Sequence, residues 1–310
     1  MADAPHVASL SRWHRVRTAA LAWAADFSAP ERRFDLVATM TIVLLVLYTL
    51  STWYMQAGVL CLGVFALLHR PILRSALFWF AVTFILAVGH YQGWFYIDNH
   101  KYLITYWCLA IALSRLAGEP DRFLALNGRL LIGLAFLFAV VWKLISEDYM
   151  SGAFFEATLL QDPRFHGVAE VVGGASAPGL QENVQQLRTL RSFGDPSAGF
   201  SVSTGARVPL LAQVMTWWTI LIEAVVTACF LWPKDRGLSR WRDATLLAFI
   251  LTTYPLAPVV GFAWVLTAMA TTQCDTRRFR YWPVLYTLAF LAVMVSAYLP
   301  FSRVKGLLLP

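Results

Sequence analysis

The chain has 310 residues, is 58% hydrophobic and carries a formal net charge of +7. Charged residues make up only 14%, against about a quarter in a soluble domain, and mean hydropathy is +0.59. That balance excludes an ordinary water-soluble globule and points to an integral membrane protein, whose basic excess belongs on membrane-facing loops rather than on nucleic acid.

Residues 1–33 form a basic N-terminal segment. Within it "LSRWHRVRTAALAWAADFS" at 10–28 is amphipathic and has no uninterrupted apolar core ahead of a cleavage site, so it does not read as a secretory signal. An interfacial helix lying on the membrane is the expectation, with a transit-like peptide as the lesser alternative. The transmembrane domain is placed at 34–300. Its apolar runs are Phe34–Leu50, Trp53–Leu68, Ile72–Gly89, Tyr102–Leu116, Leu130–Ser146, Leu210–Trp232, a segment near 244–273, and Trp282–Leu299. Residues 301–310 are a short tail. The 13 Trp and 15% aromatic content suit interfacial belts.

Arg12, Arg15, Arg17, Arg32 and Arg33 precede the first run, and Arg70 and Arg74 follow the second. Arg115, Arg122 and Arg129 lie between the fourth and fifth, and Lys234, Arg236, Arg240 and Arg242 follow the sixth. By the excess of Lys and Arg on cytoplasmic loops, all of these and the N-terminus face inward. The segment near 244–273 carries Pro255 and Pro258 at its middle. One crossing helix there would put Arg277, Arg278 and Arg280 outside, so two half-helices in a hairpin are expected, lining the interior. The fold class is therefore an all-α polytopic bundle of about eight to nine transmembrane helices, N-terminus cytoplasmic. Residues 147–208 form a polar extracytoplasmic insertion, in which "QENVQQLRTLRSFG" reads as one amphipathic helix and the rest as loop. The four cysteines, Cys61, Cys108, Cys229 and Cys274, share no metal-ligand spacing and read as small buried hydrophobes.

Chemistry gathers at three places. "YIDNHKYL" brings Asn99 and His100 to the outer start of the fourth run, where the bland reading is an Asn helix cap. Lys143 lies 14 residues beyond Arg129, about 21 Å along a helix, so it too is expected near the outer side, converging with Asn99 and His100. It reads either as a lysine snorkelling to the headgroups or as a base, since desolvation makes an ammonium give up its proton more readily. Glu223 stands alone in "WWTILIEAVVTACFLW" and is expected to face the bundle interior, bridging helices or serving a site. Trp94, Tyr102, Tyr106 and Trp107 could wall a pocket and stabilise a cation. His90 and Tyr91 are weaker outer-side candidates. "DPRFH" at 162–166 gathers an acid, an Arg and a His on a loop. No diphosphate-binding aspartate cluster, glycine-rich phosphate loop, zinc spacing or haem spacing occurs.

At these residues the chain resembles the vitamin K-dependent gamma-glutamyl carboxylase and its bacterial relatives, the horizontally transferred transmembrane (HTTM) domain proteins. "DNHKYL", "VWKLISEDYMSG" and "TILIEAVVTACFLW" carry the resemblance, in the family's order, over roughly residues 90–275. It implies that Lys143 is the base, that Asn99 and His100 assist it, and that Glu223 matches the family's lone acid. Tyr254 stands where the family hairpin often has a histidine, a departure that sets this chain apart from the carboxylase, and no counterpart of the carboxylase's large lumenal domain is expected. The expected function is an enzyme of a bacterial inner membrane with its site toward the extracytoplasmic side. It would use Lys143, His100 and Asn99 in acid–base chemistry on a lipophilic isoprenoid or quinol-like substrate, with Glu223, Tyr254, Trp94, Tyr102 and Tyr106 binding it, a reduced quinone the cofactor the resemblance allows, and no metal. Two alternatives stay open: a membrane terpenoid cyclase on the same scaffold, and a non-enzymatic accessory that helps mature or export a peptide held at 147–208.

Overall fold

The structure, a computed structural model, describes residues 17–19, 22, 24–47, 53–193, 201–255 and 259–298. It is all-α: 81% helix, with no strand among the described residues. The helices are α1 Pro30–Leu47, α2 Trp53–Leu68, α3 Ala76–Gln92, α4 Asn99–Ser114, α5 Pro120–Ile145, α6 Glu147–Met150 and α7 Ala153–Gln161. They continue as α8 His166–Val171, α9 Ala177–Phe193, α10 Val208–Leu231, α11 Arg242–Thr253, α12 Val260–Gln273 and α13 Trp282–Tyr298. Much of the 10–28 segment lies outside the described residues; those within it, such as 24–27, are helical. Residues 301–310 lie outside them entirely.

Among the described residues two helices, α5 and α10, are long and apolar enough to cross a membrane. The segment near 244–273 is two helices, α11 and α12, separated around Pro255, as the prolines demand; residues 256–258 lie outside the described residues. The chain divides into two compact units: 1–131 with 264–290, and 132–263 with 291–310.

In the first unit α4 packs most extensively on α3. Ser75 starts α3 by accepting a hydrogen bond from the Phe78 amide. The fully buried indole of Trp107 donates from Nε1 to Thr41 Oγ1 at 3.0 Å, and Thr41 in turn donates to the Val37 carbonyl. Buried indoles need such partners. A Cβ on Gly128 would meet the Met269 carbonyl and Thr272 Oγ1, so α5 and α12 touch backbone to backbone there.

In the second unit α10 is the spine. Leu210, Val214, Trp217, Trp218, Leu221 and Val225 are exposed on one face. Thr216, Thr219 and Glu223 are buried on the other. A helix serving a water-soluble domain would present the opposite pattern.

In the 147–208 segment the amphipathic helix expected at "QENVQQLRTLRSFG" is present as α9, while much of the part expected as loop is helical. Its described residues carry four helices, α6 to α9, and a core of their own: Tyr149, Phe155, Leu159, Leu160, Phe165 and Leu180 pack on Val208, Ala212 and Met215 of α10. We call this layer the roof. Short helices with one or two buried residues per turn leave little periodic signal, which is why the sequence reads as loop. Gly152 turns α6 into α7 at φ 83°, a conformation that favours glycine. Asn183, fully buried, ties residue 203 to α9: its Nδ2 donates to the Ser203 carbonyl at 2.8 Å and its Oδ1 accepts from the Ser203 amide at 2.9 Å.

Candidate functional site

α5 ends at Ile145 because Ser146 adopts an extended conformation and caps α6, accepting from the Tyr149 amide. That stop leaves Lys143 in the last turn of α5 and swings Tyr149 back beside it. Lys143 Nζ donates to Glu223 Oε2 at 2.5 Å, and the two side chains are 15% and 9% exposed. The ammonium nitrogen stands 5.4 Å from the centre of the Tyr149 ring, within reach of its negative face. Lys143 is thus neither a snorkelling lysine nor an isolated one; it is half of an enclosed ion pair.

The Tyr149 hydroxyl lies 2.7 Å from Thr219 Oγ1, and Thr219 donates its own proton to the Thr216 carbonyl at 2.9 Å. A hydroxyl has one proton to give, so the phenol is the donor of the pair. Burial pushes the Tyr149 phenol up from its ordinary range; the Thr219 contact opposes that shift and the Glu223 charge adds to it. At physiological pH the phenol keeps its proton.

Tyr254 follows the last turn of α11. It is 3% exposed, its ring packs edge-to-face on Phe249 at 5.6 Å, and its hydroxyl is near enough to Glu223 to feel that charge. Phe249 in turn packs on the fully buried Phe136 at 4.8 Å. The Tyr254 hydroxyl has no hydrogen-bond partner among the described residues, and neither do Thr216 Oγ1 and Thr227 Oγ1. Thr227 lies one turn along α10 from Glu223, and Thr216 two turns away in the other direction.

The remaining sequence candidates belong to the first unit. Asn99 is exposed and is the first helical residue of α4, not its cap; Asp98 holds the cap position and its side chain makes no capping bond. His100 is 11% exposed with Nε2 3.9 Å from Asp98 Oδ2. Trp94 and Tyr102 meet edge-to-face at 5.7 Å. Tyr106 is 60% exposed on the outward face of α4, while Trp107 turns inward. His90 is better enclosed than these: it is 3% exposed, its Nδ1 lies 3.0 Å from Thr105 Oγ1, and its ring meets Tyr102 at 5.2 Å. Each unit therefore presents its own polar group, Lys143–Glu223 in the second and His90–Thr105–Tyr102 in the first.

Cys61 is exposed, against expectation, because it lies on an outward face of an apolar helix; Cys108, Cys229 and Cys274 are buried. No cluster of His, Cys, Asp and Glu among the described residues could hold a metal ion. On the roof, Asp162 and Arg164 close on each other at 2.5 Å beside a concavity of about 620 Å³ lined by Asp148, Phe154, Gln161, Pro163 and Leu187. Residues missed by the sequence reading are Tyr149 and Thr219. The aromatic of "SEDYMSG" was visible, but its return toward α5 depends on the Ser146 cap and the Gly152 turn.

Comparison with known proteins finds no matching family model, no matching curated relative and no matching solved structure.

Proposed function

We propose that the chain is a polytopic membrane enzyme of the carboxylase-like HTTM class, acting by proton transfer on a lipophilic molecule with a weakly acidic hydroxyl. One observation carries the reading: a lysine and a glutamate paired at 2.5 Å on the buried face of a helix whose outward face is apolar. Outward-facing Trp217, Leu221 and Val225 suit lipid, and the shorter apolar stretches in α2, α3 and α13 suit a multi-pass reading. Ionisable side chains at such depth are costly and mark function more often than stability.

The chemistry follows from the pair. Transfer of the bridging proton from Lys143 to Glu223 leaves a neutral amine facing a neutral acid. The amine then takes the proton of a substrate O–H; the O–H bond breaks, its electron pair stays on the substrate oxygen, and an ammonium forms that Glu223 and the Tyr149 ring hold in place. A phenolic hydroxyl, such as that of a reduced quinone, has the acidity for this step. Its oxygen would also satisfy the orphaned Tyr254 hydroxyl. The motif resemblance supports the reaction class and the inner-membrane location, with the pair toward the extracytoplasmic side.

The test is substitution of Lys143 in the full chain, reconstituted with the lipophile that copurifies with it and is identified by mass spectrometry. Arginine keeps the charge and cannot act as a base. Lys143→Arg and Lys143→Ala are expected to lower product formation by about 10²–10⁴-fold, the range for a positioned acid–base group. Full turnover in Lys143→Arg would end the base reading. The roof concavity favours a second reading, a non-enzymatic accessory that holds a peptide there, and that result would move preference to it.

A further inference from the structure

In the first unit, the link between α2 and α3 is a short 3₁₀ helix, Arg70–Arg74, opened by Pro71, whose fixed φ suits a first helical turn. Its backbone is pinned. The Leu73 side chain is 2% exposed, and the Leu73 carbonyl accepts from Nε1 of the buried Trp79 indole at 2.7 Å. The Arg74 carbonyl accepts from Arg115 Nε at 3.1 Å, and the Arg115 guanidinium lies 4.7 Å from the centre of the Phe34 ring on α1. The arginines of this turn are therefore presented by a fixed backbone and not by a loose loop.

Arg74 donates from Nε and Nη2 to the two oxygens of Asp35, at 3.1 and 2.7 Å. That fork takes one edge of the guanidinium and leaves the other, Nη1 with the second proton of Nη2, open among the described residues. Arg70 is exposed and has no partner among the described residues. Both arginines line a concavity of about 270 Å³ with Asp35, Thr39, Pro71 and Leu73. The Thr39 hydroxyl donates to the Asp35 carbonyl, so the free donors at this place are those of the arginines. Asp35 is the acid on the lining, and Arg74 already neutralises it, which leaves the space net positive.

The flanks of the turn select the anion. Val64, Phe65 and Leu68 at the end of α2 are exposed, Leu68 at 82%, and Leu77 in the first turn of α3 is 78% exposed. Exposed apolar residues on both chain sides of a pinned arginine turn suit a molecule that joins an anionic head to apolar tails. A phosphate has oxygens enough to accept from two guanidiniums at once, whereas a single fork already meets both oxygens of a carboxylate. Under the proposed topology these arginines face the cytoplasmic leaflet, where anionic headgroups collect.

We propose that the concavity between α1 and the Arg70–Arg74 turn binds the phosphate headgroup of an anionic phospholipid, whose acyl chains run over the exposed leucines beside the turn. Arg70 and the open edge of Arg74 hold the phosphate oxygens. Asp35 fixes the angle of Arg74, and Arg115 secures the backbone behind it. The site rests on the membrane reading of the chain and not on the chemistry proposed for Lys143.

The experiment uses the full chain in detergent and native mass spectrometry. The probe is phosphatidylglycerol, and phosphatidylcholine, whose headgroup has no net charge, is the reference. Phosphatidylglycerol is expected to stay bound under conditions that strip phosphatidylcholine. Arg70→Gln alters a side chain that the fold does not use. It is expected to weaken phosphatidylglycerol binding by roughly fivefold to tenfold and to leave the unfolding temperature of the lipid-free protein unchanged. Arg70→Lys should keep most of the affinity. Arg122→Gln, at an exposed arginine paired with Glu119 outside the concavity, should keep all of it. Unchanged binding in Arg70→Gln, or equal losses there and in Arg122→Gln, would overturn the site. So would displacement of the lipid by millimolar inorganic phosphate at fixed ionic strength, since a free anion would then be the ligand. Carbonate extraction of membranes tests the underlying reading separately. A chain that washes off fails that reading and the site with it, whereas an embedded chain that holds both lipids alike fails the site alone.

Discussion

Lys143 and Glu223 stabilise each other only as a pair. Removing one partner of an enclosed ion pair strands the other charge at a cost of about 3–5 kcal/mol, whereas replacing both with well-packed apolar residues is close to neutral. Glu223→Leu and Lys143→Met are each expected to lower the unfolding temperature markedly. The double variant Lys143→Met/Glu223→Leu should recover most of the loss, while abolishing turnover. Heat denaturation of the four proteins in one detergent closes the cycle, and additive losses would show that the contact carries no coupling. Both residues were legible in the sequence, Glu223 as a lone acid in an apolar run and Lys143 as a lysine near a helix end. Their pairing was not, because 80 residues separate them, and hydrophobicity on all sides leaves a helix no stripe from which to read which face turns inward. Arg242 makes the same point from the other direction. Counted as a surface arginine of a basic loop, it is 3% exposed and donates to the Ser239 carbonyl and hydroxyl.

Among the elements, the long apolar helices were legible from length and composition without reference to partners, to within a few residues except at the start of α5, which begins at Pro120 rather than Leu130 because its first two turns are polar. The break between α11 and α12 was legible from Pro255 and Pro258. Of the roof only α9 was legible, because α6 to α8 are short and their core exists only once α7 and α9 fold onto α10. Its stability has a readable pH dependence. His166 opens α8, and its Nε2 is buried without a partner among the described residues. Burial lowers its imidazole below the ordinary value of 6.5, and nearby Glu170 and Asp162 only partly offset this. A histidine depressed on folding stabilises the fold in its neutral form, so its contribution is full above 6.5 and is lost as pH falls through that value. For Asp162, burial raises the carboxyl, but the hydrogen bonds and charge of Arg164 outweigh it and the net is a lowering. Its contribution therefore persists until pH falls toward 3.8 and below. Hydrogen exchange of residues 166–171 is expected to quicken as pH drops through 6.5, after correction for intrinsic exchange rates, and His166→Gln should flatten that dependence. An unchanged slope in the variant would clear His166 of the effect.

At the scale of the molecule, the proposed topology places the roof outside and residues 233–243 inside. Cys61 is exposed, so the experiment begins from Cys61→Ser. In intact cells a membrane-impermeant thiol reagent should label Gln185→Cys, an exposed position on α9, and spare Lys234→Cys. The reverse pattern would invert the site with the topology. The order of the pair along the chain also bears on how the protein is made. At about 5–20 residues per second, the 80 residues between the partners take roughly 4–16 s to synthesise. For that interval one ionisable group waits on the nascent chain without the other. The one that waits is Lys143, in the last turn of its helix on a long flexible stem that can reach water. Glu223, enclosed toward the middle of α10 on a shorter stem, is translated second and finds its counter-charge already in place. Ribosomal order thus hands the solitary stage of assembly to the residue better built to endure it.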